Sequence, residues 1–310
     1  MIVCFDVGGT GIKAGIFEDS GSAPLSTREA PAHADRPCAE IVARLAELAA
    51  GLYADAPRSP LRAVYLAFPG PFDYAAGICL MRGIGKYDAL YGQPLGGLLC
   101  AALQARLPGA CAPGLPIRFV NDVAAFAYGY LYRETRAVPP PGRRSLYICL
   151  GTGCGSAFAV GRALVGAEVA GVPADGYVYP TPFKEGILDE YLSKRGLLAL
   201  SQAHCGQPLE GLALAGLAAR GDAGALQCFA AFGQNLADGL APFLTGFQPH
   251  TLVVGGQVVR SGQYFLTPLC SLCAANEIEL ITEDQTSLRS MRGMLYKNKF
   301  EGELRHVEHH

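Results

Sequence analysis

The chain has 310 residues, which is enough for two domains of ordinary size. Its 25 basic residues nearly balance 27 acidic ones to give a net charge of −2, so the surface lacks the broad positive field that nucleic acid or an anionic membrane would require. Half of the residues are hydrophobic, yet no stretch approaches the ~20 consecutive apolar residues of a membrane span. We therefore expect a globular protein that binds small molecules, with neither nucleic acid nor a membrane as partner.

Two further features bear on where the protein works. The first motif begins at residue 6, which leaves no room for a targeting peptide before it. The 11 cysteines are odd in number and lie mostly in apolar segments, a pattern typical of small buried side chains in a reducing compartment. We expect a cytoplasmic protein without a disulfide framework.

Hydrophobic periodicity predicts strands that alternate with helices along the chain. The strands are expected at 2–5, 63–68, 117–120 and 251–254, and the helices at 39–52, 95–107 and 124–134, with a mostly helical stretch over 187–245. This pattern predicts an α/β fold with mixed sheets in two lobes. The N-terminal lobe is expected to cover residues 1–118, joined by a C-terminal helix at about 290–305, and the C-terminal lobe residues 119–290.

Two glycine-rich segments read alike when they are laid over each other without a gap. Residues 4–17 and 147–160, at an offset of 143, each consist of an apolar strand, a glycine turn and a second apolar strand. Gly8 then falls on Gly151, and Ala14 falls on Ala157. The similarity predicts an internal duplication in which each lobe begins with a hairpin and presents its turn toward a common cleft.

Both turns carry the groups that a polyphosphate requires. Glycine lets backbone N–H groups converge on an anion, because no Cβ blocks the approach. Thr10 and Lys13 add a hydroxyl and a cation to the first turn, and Thr152 and Ser156 add hydroxyls to the second. Neither segment is a Walker A loop or a GxGxxG turn that opens a helix, since both lead into strands.

Asp6, at the end of the first strand, allows two interpretations. As a structural residue it would accept hydrogen bonds from the N–H groups of its own turn. As a functional residue it would hold Mg²⁺, directly or through water, since Mg²⁺ favours one or two carboxylates together with phosphate oxygens. Lys13 is likewise either a phosphate ligand or a solvated strand residue.

Five segments, in this order, resemble the ROK family (repressor, open reading frame, kinase) of sugar kinases. They are DVGGTGIKAGIF at 6–17, PGP at 69–71, VNDVAAFAYG at 120–129, LGTGCGSAF at 150–158 and GG at 255–256. The resemblance implies a two-lobed ribonuclease H-like (actin-like ATPase) fold with a cleft between the lobes. It also implies a homodimer that uses ATP and Mg²⁺ to phosphorylate a hydroxyl of a hexose or hexose derivative.

The resemblance further implies roles for individual residues. The residue matching Asp122 is the general base, and the residue matching Asn121 holds sugar hydroxyls, although either could also be a helix N-cap on local grounds. The implied substrate-binding residues are Gly70, Asn121, Asp122, Glu168 and Asp189. The implied cofactor-binding residues are Asp6, which is also the Mg²⁺ ligand, with Gly8, Gly9, Thr10, Lys13, Gly151, Thr152, Gly153, Gly255 and Gly256.

The chain departs from its relatives where sugar and zinc ligands are expected. The nearest match to the family's ExGH segment begins at Glu168 and lacks the histidine, and Asp175 competes for the same role. No cysteine occurs between 171 and 186, so we expect no structural zinc site of the family type. Asp189 falls where the family has a sugar-contacting Glu, but it could equally be a favourable charge at a helix N-terminus.

These departures keep two alternatives open at this level. One is a sugar-sensing protein with little or no catalysis, because the missing histidine and zinc loop change which sugar hydroxyls the site recognises. The other is a kinase that uses polyphosphate as its phosphate donor, which the same turns could hold.

Overall fold

The computed structural model describes residues 1–307 except 20, 22, 57–58, 133–139 and 175, with side chains described as far as residue 300. The chain forms two compact units. One comprises Met1–Thr135 together with Ser287–His310, and the other comprises Arg136–Thr286. No helix among the described residues is both long enough and apolar enough to span a membrane.

The first unit is built on a five-stranded mixed sheet. Its strand order is β3-β2-β1-β4-β7, in which β1 pairs antiparallel with β2 and parallel with β4. The strands of this unit are β1 (Ile2–Val7), β2 (Gly11–Phe17), β3 (Ser26–Pro31), β4 (Ala63–Phe68), β5 (Phe72–Asp73), β6 (Ile78–Cys79) and β7 (Ile117–Asn121). The helices are α1 (Cys38–Asp55), α2 (Leu95–Arg106), α3 (Asp122–Leu131) and the C-terminal α9 (Thr286–Val307), with a 3₁₀ turn at Asp88–Leu90.

Helices cover both faces of this sheet. Val3 and Phe5 of β1 point into a core that includes apolar residues of α1 and α2, whereas Cys4 points into a second core. Alternate residues of a strand face opposite sides, so β1 is buried on both. The second core contains Ala125 of α3 and Met294 of α9. The C-terminal helix is therefore part of the first unit because it closes one face of its sheet.

The second unit repeats this arrangement. Its sheet has the order β10-β9-β8-β13-β14, with the antiparallel pairs on one side and the parallel pairs on the other, as in the first sheet. Its strands are β8 (Arg144–Leu150), β9 (Cys154–Val160), β10 (Ala163–Val165), β11 (Pro182–Phe183), β12 (Gly186–Ile187), β13 (Thr251–Gly255) and β14 (Glu279–Glu283). Its helices are α4 (Leu188–Tyr191), α5 (Lys194–Cys205), α6 (Gly211–Ala219), α7 (Ala223–Phe247) and α8 (Thr267–Ala275), with a 3₁₀ segment at Gln257–Tyr264.

The two hairpins differ by one residue in their turns. In the first hairpin Val7 pairs with Ile12, whereas in the second Leu150 pairs with Cys154. The second turn is therefore one residue shorter, and the gap-free alignment of the two segments is wrong beyond the turn. The residue opposite Asp6 is Lys13, but the residue opposite Cys149 in the second hairpin is Gly155.

The predicted division after residue 118 falls inside β7. This strand pairs parallel with β4, from Val64 opposite Ile117 to Phe68 opposite Asn121, and α3 packs on the same sheet. Backbone hydrogen bonds of a central sheet thus tie residues 117–121 to the first unit, and the division between the compact units lies further along the chain.

Candidate active site

Three candidate residues of the first unit lie at one edge of its sheet. Asp6 is near the end of β1, Gly70 follows β4, and Asn121 ends β7. These three strands are adjacent and parallel, so their carboxyl ends meet at the same edge. Ligands of open α/β sheets bind at this kind of edge. The topology therefore gathers residues that are more than a hundred positions apart in the chain.

The first glycine turn connects β1 to β2 and is closed by a hydrogen bond from the Gly8 N–H to the Gly11 carbonyl, at 2.9 Å. The Thr10 carbonyl accepts from the Ala32 N–H at 3.0 Å, and the rest of Thr10 is exposed. Within the described residues, no hydrogen bond uses the N–H groups of Gly9 or Thr10. Two backbone donors of the turn are thus available to an anion, as a phosphate-binding turn requires.

Asp6 is partly buried and does not hydrogen-bond to the turn that follows it. Its carboxylate is hydrogen-bonded instead to the side chain of Ser287, in the first turn of α9. Burial raises the pKa of Asp6 from its ordinary 3.8 to about 6 and Asp122 adds to the rise, whereas the Ser287 bond and Lys13 lower it. The geometry does not support the interpretation of Asp6 as a residue that bonds the N–H groups of its own turn.

Asn121 and Asp122 have different roles at the start of α3. Asn121 is the N-cap, because its side-chain oxygen accepts from the Val123 N–H at 3.0 Å and from the Ala124 N–H at 3.1 Å. Its amide nitrogen donates to the Tyr74 hydroxyl at 3.2 Å. Since Asn121 caps the helix, the local argument for Asp122 as a structural cap is weak.

Asp122 is partly buried and accepts a hydrogen bond from the Val123 N–H at 2.9 Å. Burial raises the pKa of this carboxyl group, whereas the Val123 N–H and the charge of Lys86 lower it. A carboxyl group whose pKa is raised toward neutrality is a better proton acceptor than an ordinary one, provided that it remains ionised. The environment of Asp122 suits a general base.

The segment that contains Gly70 and Tyr74 lies close to Asn121. The Tyr74 hydroxyl, which accepts from Asn121, donates to the carbonyl of Phe68 at 3.1 Å. A side chain at Gly70 would lie 3.1 Å from that hydroxyl, so glycine keeps the space open. Gly70 and Asn121 therefore both lie close to the Tyr74 hydroxyl, which is hydrogen-bonded to Asn121.

The second glycine turn, Gly151 to Gly153, connects β8 to β9 and has its own hydrogen bond, from the Gly151 N–H to the Gly153 carbonyl at 2.9 Å. Thr152 is exposed at its tip. The Gly151 carbonyl accepts from the N–H of Lys194, the first residue of α5, at 2.8 Å. The predicted role of Ser156 is wrong, since its hydroxyl is buried and accepts from the Val178 N–H at 2.9 Å.

Asp189 supports the second turn. One carboxylate oxygen accepts from the Cys154 N–H at 2.7 Å, and the other is hydrogen-bonded and ion-paired to Arg195. The carboxylate also lies against Gly153, where a Cβ would collide with it at 2.8 Å. Neither oxygen of Asp189 is left without a protein partner, so the geometry favours a structural task over the sugar contact that the resemblance implied.

Gly255 and Gly256 lie at the base of this turn. Gly255 ends β13 opposite Cys149 of β8, which brings Gly256 next to Leu150. Gly256 has a φ of 124°, and a Cβ there would run into the Leu150 carbonyl, so only glycine fits. The two glycine motifs of this unit therefore converge at the carboxyl edge of β8 and β13.

Two carboxylates compete for the ExGH role, and the structure describes one of them. Glu168 is exposed, and its carboxylate accepts from the Gly166 N–H at 2.8 Å, which lowers its pKa. Asp175 lies outside the described residues. The structure thus gives Glu168 a bond within its own loop and no further partner in the described part of the chain.

Sequence reasoning missed three residues of the first unit. Ser287 bonds Asp6, the Tyr87 hydroxyl donates to the Gly8 carbonyl at 2.8 Å, and the charge of Lys86 acts on Asp122. A lysine after two glycines, in RGIGK at 82–86, was the one local signal. Ser287 and Tyr87 have no signature of their own, because their roles come from distant contacts.

No group of three or more His, Cys, Asp or Glu side chains within the described ranges is arranged to bind a metal ion. Mg²⁺ does not need such a group, because it keeps several waters and uses substrate phosphates as ligands beside one or two carboxylates. Asp6, next to a turn with available backbone donors, fits that requirement. An ion at Asp6 would take most of its ligands from phosphate and water.

Comparison with known proteins agrees with this architecture. Over 273 residues the chain is 29% identical to the N-acetyl-D-glucosamine kinase of Vibrio parahaemolyticus, a match that covers 83% of this chain and 84% of the relative. The ROK hexokinase of Thermus thermophilus superimposes with a TM-score of 0.69 at 20% identity, covering 97% of this chain and 99% of the other. The ROK family glucokinase of Streptomyces griseus, solved with glucose and AMPPNP, superimposes with a TM-score of 0.70 at 21% identity, covering 94% and 97%.

These likenesses confirm the predicted α/β fold with mixed sheets, of the actin-like ATPase type. The sequence also matches the ROK family over residues 2–286, from the first strand through the last strand of the second sheet. Since that match spans nearly the entire chain, the protein belongs to the ROK family.

Proposed function

We propose that this protein transfers the γ-phosphate of ATP to a hydroxyl of a hexose or hexose derivative, with Asp122 as the general base. The observation that carries the proposal is the edge formed by β1, β4 and β7. There Asp122, a partly buried carboxyl group whose pKa is raised, directly follows β7. In the same sheet β4 separates β7 from β1, and β1 leads into the first glycine turn. Family membership and the named activity of the relatives support the same reaction.

We assign a base to the sugar hydroxyl and separate ligands to the phosphates and the adenosine. Asp122 would accept the proton of the attacking hydroxyl and orient that oxygen toward the γ-phosphorus, as a positioned carboxylate does in phosphoryl transfer. The proposed phosphate-binding turns are Gly8, Gly9 and Thr10 in one unit, with the N–H groups of Gly9 and Thr10 as donors, and Gly151, Thr152 and Gly153 in the other. Gly255 and Gly256 are proposed for the adenosine part. Lys13, opposite Asp6 in the strand ladder, adds a positive charge near the first turn.

Mg²⁺ is part of the proposal. Asp6 would hold it, directly or through water, and the bound ion would neutralise charge on the β- and γ-phosphates. Ser287, which lowers the pKa of Asp6, favours the ionised carboxylate that an ion or its waters would require.

The acceptor is proposed to be a neutral sugar. Asn121, the chain neighbour of Asp122, and Gly70, which lies near the same Tyr74 hydroxyl as Asn121, are the proposed contacts for sugar hydroxyls in the first unit. Glu168 remains a proposed contact in the second unit, and N-acetyl-D-glucosamine, the substrate named for the relative at 29% identity, is the first acceptor to test. From membership of the family we also propose that the protein is a homodimer and that it works in the cytoplasm.

A coupled assay of ADP release tests the proposal. Hexoses, N-acetylhexosamines and β-glucosides are offered as acceptors, with ATP or polyphosphate as donor; polyphosphate reactions are followed by direct detection of the phosphorylated sugar. Asp122→Asn should lower kcat about 10²- to 10⁴-fold, the usual contribution of a positioned base. Asp35→Asn, which neutralises an exposed carboxylate of the same unit, should leave kcat unchanged.

Two results would contradict the proposal. Asp122→Asn protein that phosphorylates sugar at the wild-type rate would remove Asp122 as the base. Wild-type protein that binds a sugar in calorimetry but phosphorylates no sugar with either donor would make the protein a sugar binder.

A further inference from the structure

We propose that Lys86 is a catalytic cation of this site, which binds the terminal phosphate of the donor at the first glycine turn. The inference rests on the proposed function and adds a residue to it. The evidence is the way in which the segment before the 3₁₀ turn at Asp88–Leu90 is fastened to Gly8 and Gly9.

Tyr87 anchors this segment to the turn. Its ring is fully buried, its hydroxyl donates to the Gly8 carbonyl at 2.8 Å, and its N–H donates to the Ala34 carbonyl at 2.6 Å. Tyr87 also has a φ of 58°, a left-handed backbone conformation that is unfavourable for a non-glycine residue. A strained, fully bonded residue fixes the position of its neighbour Lys86.

Lys86 then runs across the turn itself. Its Cδ atom is 3.5 Å from the position that a Cβ on Gly9 would occupy, so the aliphatic part of the side chain covers Gly9. The residue is partly buried. The segment before it is also held, since the Asp88 carboxylate accepts from the Ile84 N–H at 3.2 Å and the Gly85 N–H at 3.1 Å.

The ammonium group of Lys86 is available to a ligand. It forms no hydrogen bond or ion pair with the residues that the structure describes, although its charge reaches the carboxylate of Asp122. Among the described residues, Asp6 and Lys13 are further charged groups at this edge. A partly buried cation with free donors, next to a turn with free backbone N–H groups, is suited to a phosphate.

The phosphoryl transfer requires no reactant other than ATP and the sugar. The sugar oxygen forms a bond to the γ-phosphorus while the bond from that phosphorus to the bridging oxygen of ADP breaks. The hydroxyl proton goes to Asp122, the bridging electrons leave with ADP, and Lys86 keeps its protons. Its part is to offset the charge on the transferring group, as the cations of other phosphoryl-transfer sites do.

Two substitutions at this position separate charge from shape. Lys86→Met keeps most of the aliphatic chain over Gly9 and removes the charge, whereas Lys86→Arg keeps a charge. We expect Lys86→Met to lower kcat about 10²-fold, the usual effect of removing one preorganised electrostatic contact, and to leave KM for the sugar within about threefold. Lys86→Arg should recover about tenfold of that loss.

Nucleotide binding distinguishes a phosphate contact from a structural role. In calorimetry Lys86→Met should bind ADP as the wild type does and bind a nonhydrolysable ATP analogue about tenfold more weakly, since only the analogue carries the terminal phosphate. Arg82→Met is the matched control: Arg82 is exposed in the same segment, its guanidinium lies over the Tyr91 ring at 5.2 Å, and we expect no change.

The outcomes separate this inference from the proposed function. If the wild type phosphorylates sugar, Asp122→Asn does not, and Lys86→Met has wild-type kcat, Lys86 is not a catalytic residue and the proposed function stands. Equal weakening of ADP and of the ATP analogue would also overturn the inference. If the wild type phosphorylates no sugar, the proposed function fails first.

Discussion

Asp6→Asn is expected to stabilise the folded protein at neutral pH. The Asp6 carboxylate is partly buried at the end of β1, and burial raises its pKa from 3.8 to about 6, with Asp122 adding to the rise. The Ser287 bond and Lys13 offset only part of this effect. A carboxyl group that is harder to ionise when folded than when unfolded costs stability wherever it is ionised. Natural proteins accept such costs where function requires the charge.

The magnitude follows from the pKa of Asp6. A rise from 3.8 to about 6 corresponds to about 3 kcal/mol for the ionised group. Well below the ordinary pKa of 3.8 the group is protonated in both states and costs nothing, whereas above about pH 7 nearly the full cost is present. The contribution of Asp6 to stability should therefore fall as the pH rises through this window, by about 1 kcal/mol between about pH 5 and 7.

Urea unfolding, followed by circular dichroism in the presence of EDTA, measures this contribution. The free energy of unfolding of Asp6→Asn should exceed that of the wild type by about 3 kcal/mol at about pH 8, and the difference should shrink as the pH falls. Asp35→Asn, an exposed substitution in the same unit, should show no such pH dependence. Asp6→Asn should also lose most sugar-kinase activity, since it removes the proposed Mg²⁺ ligand.

A constant difference between Asp6→Asn and the wild type from about pH 5 to 8 would refute this reasoning. So would a variant that is less stable than the wild type at about pH 8. Either result would mean that the Asp6 carboxylate serves the fold of the turn, as the structural interpretation of the sequence held.

Two further substitutions test how the glycine turns are held. Tyr87→Phe removes the donor to the first turn and should lower the free energy of unfolding by about 1–2 kcal/mol in urea, because the partly buried Gly8 carbonyl loses its partner. Tyr91→Phe, at an exposed ring, is the control, and equal midpoints for the two variants would contradict the prediction. Asp189→Asn weakens the charge-assisted bond to the Cys154 N–H and should raise KM for ATP several-fold, with a loss of about 1–2 kcal/mol in stability. Glu210→Gln, in an exposed ion pair of the same unit, should change neither quantity, and an unchanged KM in Asp189→Asn would show that the turn does not depend on this carboxylate.

Local patterns predicted the inner strands of both sheets closely but gave no strand for β3, β10 or β14. The strand expected at 63–68 is β4 as observed, and the helix expected at 95–107 is α2 with one residue fewer. The apolar runs and their spacing carry this information because burial on a sheet or helix face repeats with a fixed period. The shared order of strands in the two sheets also agrees with the duplication that the hairpins suggested.

Local patterns were less reliable for side chains. The gap-free alignment of the hairpins paired Lys13 with Ser156, yet the shorter second turn puts Gly155 at that level and buries Ser156. For Asp189 the sequence left both a sugar contact and a charge at a helix N-terminus open, and in the fold its two oxygens bind Cys154 and Arg195. A residue type allows several partners, and only the neighbours present in the fold decide among them.

The sequence by itself determined the glycine turns, the acids at the strand ends and membership of the ROK family, because these depend on residue identity and on short spacings. Only the tertiary structure decided which side chains act on the turns and the acids. Tyr87 reaches Gly8 across 79 positions, and Ser287 of the last helix reaches Asp6 near the start of the chain. Such contacts form when sheet and helices pack together, so the pKa values of Asp6 and Asp122 are properties of the folded protein.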